Sequence, residues 1–104
     1  DILAELGARR AREGATRPVL VGFAAETRDL VPRARDKRRA KQVDLIVAND
    51  VSRADTGFEV ETNEVTLVSA AGEEAIGLRP KAQVAGIILD RVEALLAAKA
   101  PARA

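Results

Sequence analysis

Two short apolar runs with a polar, helix-forming segment between them limit the folds that this chain can adopt. Residues 18–23 (PVLVGF) and 43–48 (VDLIVA) have the length and the β-branched content of buried strands. The segment between them predicts a helix that starts at Thr27 or Asp29 and ends near Gln42. Strand, helix and strand within about 30 residues are typical of a βαβ unit with parallel strands.

The flanking segments extend this unit to an α-β-α-β-hairpin-α pattern. Residues 1–12 predict a helix with an acidic residue at its N-cap. A short extended piece is expected at 58–61, followed by a hairpin of strands 64–69 and 74–78 and a last helix over 82–98. We therefore predict an α/β protein, part of a three-layer α/β/α Rossmann-like domain with a C-terminal β-hairpin and helix.

The composition excludes several kinds of chemistry. The 104 residues include no Cys and no His, which excludes thiol and imidazole nucleophiles, disulfides and soft-metal sites within this sequence. Net charge is +1, so attraction to nucleic acid or to a membrane surface is expected to be weak. No apolar run reaches the ~18 residues of a membrane span, and we expect a cytoplasmic protein. There is no Met, and we expect the chain to be a piece of a longer protein.

The end of the first predicted strand carries small residues and one aromatic. Phe23, placed here at the carboxyl end of the strand, could stack on a planar base, and Ala24 and Ala25 would let a ligand approach the backbone. Ordinary packing, with Phe23 in the core and small residues between helix and sheet, is the alternative explanation. No GxGxxG fingerprint of dinucleotide binding is present. By itself, the pattern favours packing.

A stripe of the predicted helix turns from apolar to cationic along its length. Leu30, Ala34, Lys37 and Lys41 are spaced i, i+4, i+7 and i+11, so they share one face. The two lysines either bind an anion such as a triphosphate or extend into solvent near the C-terminus of the helix, where positive charge is favourable. By itself, the pattern favours the solvated helix. Lys37 lies roughly 12 Å along the helix from the end of the strand. The sequence does not decide whether its side chain covers that distance.

Two polar side chains directly follow the second predicted strand. Asn49 can donate to and accept from a ligand amide or ribose, and Asp50 can accept a hydrogen bond or hold the water shell of a metal. Both residue types are also favoured turn formers, which is the alternative explanation. The residues alone do not distinguish the two.

Three sequence blocks, taken together and in order, resemble one enzyme family. They are VGFAAET at 21–27, KRRAK at 37–41 and DLIVANDVS at 44–52, and KAQVAGIILDRV follows at 81–92. The sequence resembles the C-terminal part of phosphopantothenoylcysteine synthetase, the CTP-dependent ligase of coenzyme A biosynthesis, as in the bacterial bifunctional synthetase/decarboxylase. The resemblance implies that residues 1–104 are the C-terminal portion of a single ligase domain whose N-terminal half is absent.

The family implies a reaction in two steps. CTP reacts with the carboxylate of 4'-phosphopantothenate to give an acyl-cytidylate and pyrophosphate, and cysteine then displaces CMP to form an amide. This chemistry requires neutralised phosphate charge and an aligned carboxylate, to which lysines and Mg²⁺ are suited. It requires no covalent enzyme nucleophile, and no catalytic residue or metal ligand is assigned in this chain.

The resemblance also implies site residues by position. Phe23 corresponds to a nucleotide-contacting Phe, and Lys37 and Lys41 to two CTP-binding lysines. A short CTP-contacting segment of the family begins at the first residues of this chain. The expected CTP contacts are therefore Asp1, Ile2, Leu3, Phe23, Lys37 and Lys41, with Asn49 and Asp50 as candidate contacts to substrate or nucleotide.

Further partners follow from the family. Its members are dimers, with a higher oligomer expected where the parent also carries the FMN-dependent decarboxylase. The missing N-terminal half supplies further CTP-binding residues, so this piece alone is expected to be inactive.

Two functions of other classes stay open from the residues alone. Seven basic residues between Arg28 and Lys41 could form a nucleic-acid-binding helix, although the low net charge and only two aromatics argue against it. The chain could instead be a non-catalytic structural or dimerisation domain that uses the hairpin, where Val65, Leu67 and Ile76 alternate with polar residues.

Overall fold

The computed structural model describes residues 1–52 and 62–99 and confirms the α/β architecture. The elements in order are α1 (Ile2–Arg12), β1 (Val21–Glu26), α2 (Leu30–Lys41), β2 (Leu45–Asp50), β3 (Thr62–Ser69), β4 (Gly72–Pro80) and α3 (Lys81–Ala98). The four strands form one sheet in the order β1-β2-β3-β4. β1 and β2 are parallel, while β3 and β4 add antiparallel neighbours. The extended piece expected at 58–61 lies outside the described residues.

Helices cover both faces of the sheet and create three layers. One buried cluster, centred on Ile46 and Val68, includes Ala34 of α2 and packs against Leu3 of α1. The second cluster lies on the opposite face and joins sheet residues to Val84 of α3. Strand alternation therefore sends successive side chains of β1 and β2 towards α1 and α2 or towards α3. In the described residues, no helix is both long and apolar enough to span a membrane.

The parallel strands lie two to three residues later in the chain than the sequence pattern predicts, with β1 at Val21–Glu26 instead of 18–23 and β2 at Leu45–Asp50 instead of 43–48. β1 continues through Ala24 and Ala25 to Glu26, because each of these residues pairs with β2, the last of them with Asp50. Phe23 therefore lies in the middle of β1, opposite Val47, and its predicted place at the carboxyl end of the strand is wrong. Small residues with low strand propensity are held in β1 by these ladder hydrogen bonds, which a local pattern does not reveal.

The start of α1 agrees with the sequence-based prediction. The Asp1 side chain accepts hydrogen bonds from the backbone N–H groups of Leu3, at 3.0 Å, and Ala4, at 3.3 Å. These contacts satisfy two of the donors that a helix leaves unpaired in its first turn.

A close approach of two helix backbones sets the position of α1 against α2. A Cβ atom added at Gly7 would overlap the backbone carbonyl oxygen of Lys41 and would lie 3.0 Å from that of Gln42. Only a residue without a side chain fits at this contact. The requirement concerns space rather than backbone conformation.

We expect Gly7→Ala to lower the free energy of unfolding by about 3 kcal/mol, because the contact is with rigid backbone. Gly86→Ala in α3 is the matched control, since nothing lies within 4 Å of its added Cβ. The control is expected to stabilise the protein by up to ~1 kcal/mol through helix propensity. Urea unfolding measures both changes, and similar effects at the two sites would contradict the close contact.

A nearly buried ion cluster joins four elements at the amino end of β2. The carboxylate of Asp44 accepts hydrogen bonds from Arg10 of α1 at 2.5 Å, from Lys99 after α3 at 2.9 Å and from the backbone N–H of Leu20 at 2.8 Å. Arg10 also donates to the carbonyl oxygens of Pro18 and Gln42. Burial raises the pKa of Asp44, but these hydrogen bonds outweigh it and hold the pKa below its ordinary value.

We expect Asp44→Asn to lower the free energy of unfolding at pH 7 by roughly 3 kcal/mol, because two nearly buried cations lose their partner. Since the folded-state pKa is the lower one, the stabilisation is present above the unfolded value near 4 and is lost as the pH falls through the folded-state pKa. The difference between wild type and variant should therefore shrink towards pH 3 in urea unfolding.

The control for this variant is Glu13→Gln, which breaks an exposed i, i+4 ion pair with Arg9. Its expected effect is below ~0.5 kcal/mol at either pH. A loss for Asp44→Asn that is as small as this, or that does not depend on pH, would show that the cluster adds nothing.

Candidate functional site

The carboxyl ends of β1 and β2 place polar side chains on two faces of the sheet. In β1, Ala24 and Glu26 are buried on the side of α1 and α2, whereas Phe23 lies on the side of α3. The parallel register pairs Glu26 with Asp50 and Ala25 with Asn49. Because alternation continues along β2, Asn49 and Asp50 also occupy opposite faces.

The α2 face carries the first of the two predicted lysines. Lys37 Nζ lies 2.6 Å from Oε2 of Glu26, whose side chain is only 5% exposed, while the lysine side chain is 41% exposed. Side chains on a helix lean towards its N-terminus, so the lysine extends back along α2 to the carboxyl end of β1. The side chain therefore covers the distance that the sequence left open.

The second predicted lysine contacts the beginning of α1. Lys41 Nζ lies 3.0 Å from Oδ2 of Asp1, which is 46% exposed. Of the other two residues in the predicted CTP-contacting segment, Ile2 is exposed and Leu3 packs against the core beside Gly22. Asp1 is thus the residue of this segment that the fold pairs with a predicted phosphate-binding group.

A cleft of 320 Å³ lies on the other face of the sheet. Phe23, Asn49 and Asn63 contribute to its lining beside Val84 and Ile88 of α3. Phe23 is 72% exposed and is not a core residue. The structure brings Phe23 together with Asn49, but it separates both from Lys37 and Lys41 by the thickness of the sheet.

The ANDVS motif ends β2 and links it to β1. Oδ1 of Asp50 accepts from the backbone N–H of Ser52 at 2.8 Å and from its hydroxyl at 2.6 Å. The N–H of Val51 donates to the carbonyl oxygen of Glu26 at 2.9 Å. The motif therefore has the local turn role that its residue types favour, while its Asn contributes to the cleft.

Sequence reasoning missed Glu26 as a site residue. The signal was present, because Ala24 and Gly22, two and four positions earlier, lie on the face of the sheet that α1 and α2 cover, so a strand that continued would also turn Glu26 inwards. A strand that ends at Phe23, as the sequence pattern predicts, leaves Glu26 outside the sheet and gives no reason to expect it in the site.

The carboxylates near the lysines do not form a metal site of their own. Within residues 1–52 and 62–99, no three His, Cys, Asp or Glu side chains come together as a candidate metal-binding group. The carboxylates of Asp1 and Glu26 are already paired with ammonium groups. The described donor set therefore does not fit a Mg²⁺ ion held by protein ligands alone.

Residues 1–96 match the family model of the DNA/pantothenate metabolism flavoprotein C-terminal domain. The chain belongs to this family. It is 43% identical over 96 residues, 91% of its length, to the coenzyme A biosynthesis bifunctional protein CoaBC of Bacillus subtilis. It is 44% identical over 80 residues to the protein of the same name from Vibrio vulnificus strain CMCP6.

Solved structures agree with this membership. A crystal structure of the C-terminal domain of CoaBC superposes with a TM-score of 0.71 at 36% identity, covering 92% of this chain and 44% of that one. The DNA/pantothenate metabolism flavoprotein from Streptococcus pneumoniae shares the fold, with a TM-score of 0.66 at 23% identity. The chain spans about a fifth of the length of the two CoaBC relatives, at 22% and 20%. The predicted resemblance to CoaBC is confirmed for the part of those proteins that this chain covers.

Proposed function

We propose that this chain is the C-terminal part of a CTP-dependent phosphopantothenate–cysteine ligase and supplies the subsite for the triphosphate of CTP. The observation that carries the proposal is the pair of ammonium groups, Lys37 and Lys41, that one stripe of α2 presents beside the carboxyl end of β1 and the start of α1. Support from similarity comes from relatives that are coenzyme A biosynthesis bifunctional proteins.

In the proposed reaction, a carboxylate oxygen of 4'-phosphopantothenate attacks the α-phosphorus of CTP and pyrophosphate leaves. The amine of cysteine then attacks the acyl carbon and loses a proton to solvent, the amide C–N bond forms, and CMP leaves with the electron pair of the broken C–O bond. The lysines of this chain would hold the phosphates in line and oppose the charge that grows on the leaving pyrophosphate. Mg²⁺ would arrive with the nucleotide, held chiefly by its phosphates.

Both lysines are paired with carboxylates in the absence of nucleotide. The Lys41–Asp1 pair is half exposed, so it adds little to stability and can be exchanged for a triphosphate. A triphosphate carries several charges and can accept hydrogen bonds from two ammonium groups at once. The resting ion pairs keep the lysines extended along the face that the nucleotide would occupy.

Phe23 would contact the cytosine end of CTP, which would cross the carboxyl ends of the strands to reach it. The side chain is exposed and stands in a cleft with Asn49 and Asn63, whose amides can pair with the carbonyl and amino groups of cytosine. A nucleotide that touches both faces would pass over the carboxyl ends of β1 and β2. This arrangement makes the Phe23 contact separable by experiment from the lysine contacts.

The remaining proposals concern the parent protein. We propose that it is a homodimer, that it forms a higher oligomer if it carries the decarboxylase, and that FMN then belongs to that part. Sedimentation of the intact parent tests the assembly. Its flavin content, read by absorbance, tests the presence of FMN.

We expect Lys37→Gln and Lys41→Gln in the intact parent each to raise the KM for CTP about tenfold or more, because each removes a charge-assisted hydrogen bond. The KM for cysteine should stay within about twofold, since cysteine enters after the triphosphate is consumed. Arg33→Gln, on another face of α2, is the control and should leave both values unchanged. Unaltered CTP kinetics in both lysine variants would refute the triphosphate subsite.

We expect Phe23→Ala to raise the KM for CTP several-fold, as the loss of one stacking contact does, with the KM for cysteine unchanged. Leu89→Ala in α3 removes a similarly exposed apolar side chain outside the cleft and serves as the control. Steady-state kinetics with the parent enzyme measures both. If CTP binding is unchanged, Phe23 is removed from the nucleotide site and the lysine subsite is unaffected.

A further inference from the structure

Glu26 carries a carboxylate at a buried position of β1, where an apolar side chain would be expected. It continues the inward-facing series of Gly22 and Ala24 beneath α2, and it is the charged residue that is buried among those the structure describes. Burying a carboxylate is unfavourable unless it is paired, and an apolar residue of similar volume is often as good or better for stability. Stability alone therefore does not explain the charge.

The partner of this carboxylate is the lysine assigned to the triphosphate. Lys37 is the eighth residue of α2, and its Nζ is held at the carboxyl end of β1 by the 2.6 Å contact with Glu26. An ammonium group has three N–H donors, so two remain for a ligand. The 41% exposure of the lysine side chain leaves room for one to approach.

The backbone beneath the carboxylate is itself fixed. The carbonyl oxygen of Glu26 accepts a hydrogen bond from the N–H of Val51, and Glu26 pairs with Asp50 in the β1–β2 ladder. The sheet therefore fixes the main chain of Glu26, and the burial of its side chain restricts where the carboxylate can lie. Lys41 has no equivalent, because its partner Asp1 is a half-exposed cap at the start of α1. The two lysines differ in how firmly the protein holds them.

Resting on the proposed function, we infer that Glu26 is a positioning residue, which fixes the ammonium group of Lys37 at the carboxyl edge of the sheet to receive the triphosphate of CTP. A flexible lysine loses side-chain freedom when it binds a ligand, and that loss weakens binding. A lysine already held by a buried carboxylate has lost this freedom before the nucleotide arrives. The carboxylate acts through Lys37 and does not itself touch the nucleotide.

The test uses the intact parent enzyme and Glu26→Leu, which keeps the site packed but offers no acceptor. We expect the KM for CTP to rise about tenfold, with the KM for cysteine within about twofold and the melting temperature unchanged or higher. Glu26→Gln keeps an acceptor oxygen in the same place and should return the KM for CTP to within about threefold of wild type. Glu26→Ala carries the same expectation as the Leu variant if Leu prevents folding.

A double variant shows whether the effect passes through Lys37. Glu26→Leu combined with Lys37→Gln should bind CTP no worse than Lys37→Gln alone, because the group that Glu26 positions is already gone. Additive losses would overturn the inference, as would a Glu26→Leu variant whose KM values for CTP and cysteine rise together or stay unchanged. If Lys37→Gln alone leaves CTP kinetics intact, the proposed function itself fails, so the two failures are distinguishable.

Discussion

The parallel pairing of β1 with β2 determines where nearly every polar group of the candidate site lies. It brings Glu26 level with Asp50 and Ala25 level with Asn49, and it extends both strands beyond their apolar segments. Because side chains alternate, this single register sends Glu26 towards α2 and Asn49 towards α3. If β1 slipped by one residue against β2, Glu26 would turn away from α2 and Phe23 would come to the face of the lysines, while the pairing of β2 with β3 would keep Asn49 on the side of α3.

Two ion clusters at opposite ends of the parallel strands have different physical characters. At the amino end, Asp44 is enclosed by Arg10, Lys99 and a backbone N–H, so its charge is fully compensated and it joins four elements. At the carboxyl end, Glu26 is more deeply buried than Asp44, but its partner Lys37 is partly exposed. In the Asp44 cluster, the charges are paired with one another inside the fold. In the Glu26–Lys37 pair, the ammonium group of Lys37 keeps N–H donors that a ligand can use.

The helices, the strands and their arrangement in layers could be predicted from the sequence. The face of the sheet on which each site residue lies could not. The apolar runs, the helix between them and the capping residue Asp1 are local signals, and all appear in the structure. The end of β1 is decided by pairing with β2, which is about 25 residues away in the chain, and no local pattern contains it. Ending the strand at Phe23 therefore misplaced that residue and concealed Glu26.

Contacts between elements that are far apart in the chain could not be predicted from the hydrophobic pattern either. The i, i+4, i+7, i+11 stripe places Lys37 and Lys41 on one face of α2, but it gives no partner for either. Arg10 and Asp44, 34 residues apart, carried no signal that would distinguish them from surface charges. Family resemblance named site residues by position, yet it did not show that the sheet lies between Phe23 and the lysines.

The approach of α1 to α2 links packing to the proposed chemistry. Gly7 lets the backbone of α1 touch the last turn of α2 at Lys41, and the same crossing brings Asp1 to the ammonium group of that lysine. A bulkier residue at the crossing would move the start of α1 away from Lys41 while leaving Lys37 with its partner in the sheet. The two lysines therefore depend on different parts of the fold, one on a helix crossing and the other on a strand register. A disturbance of either contact would alter one half of the cationic pair without the other.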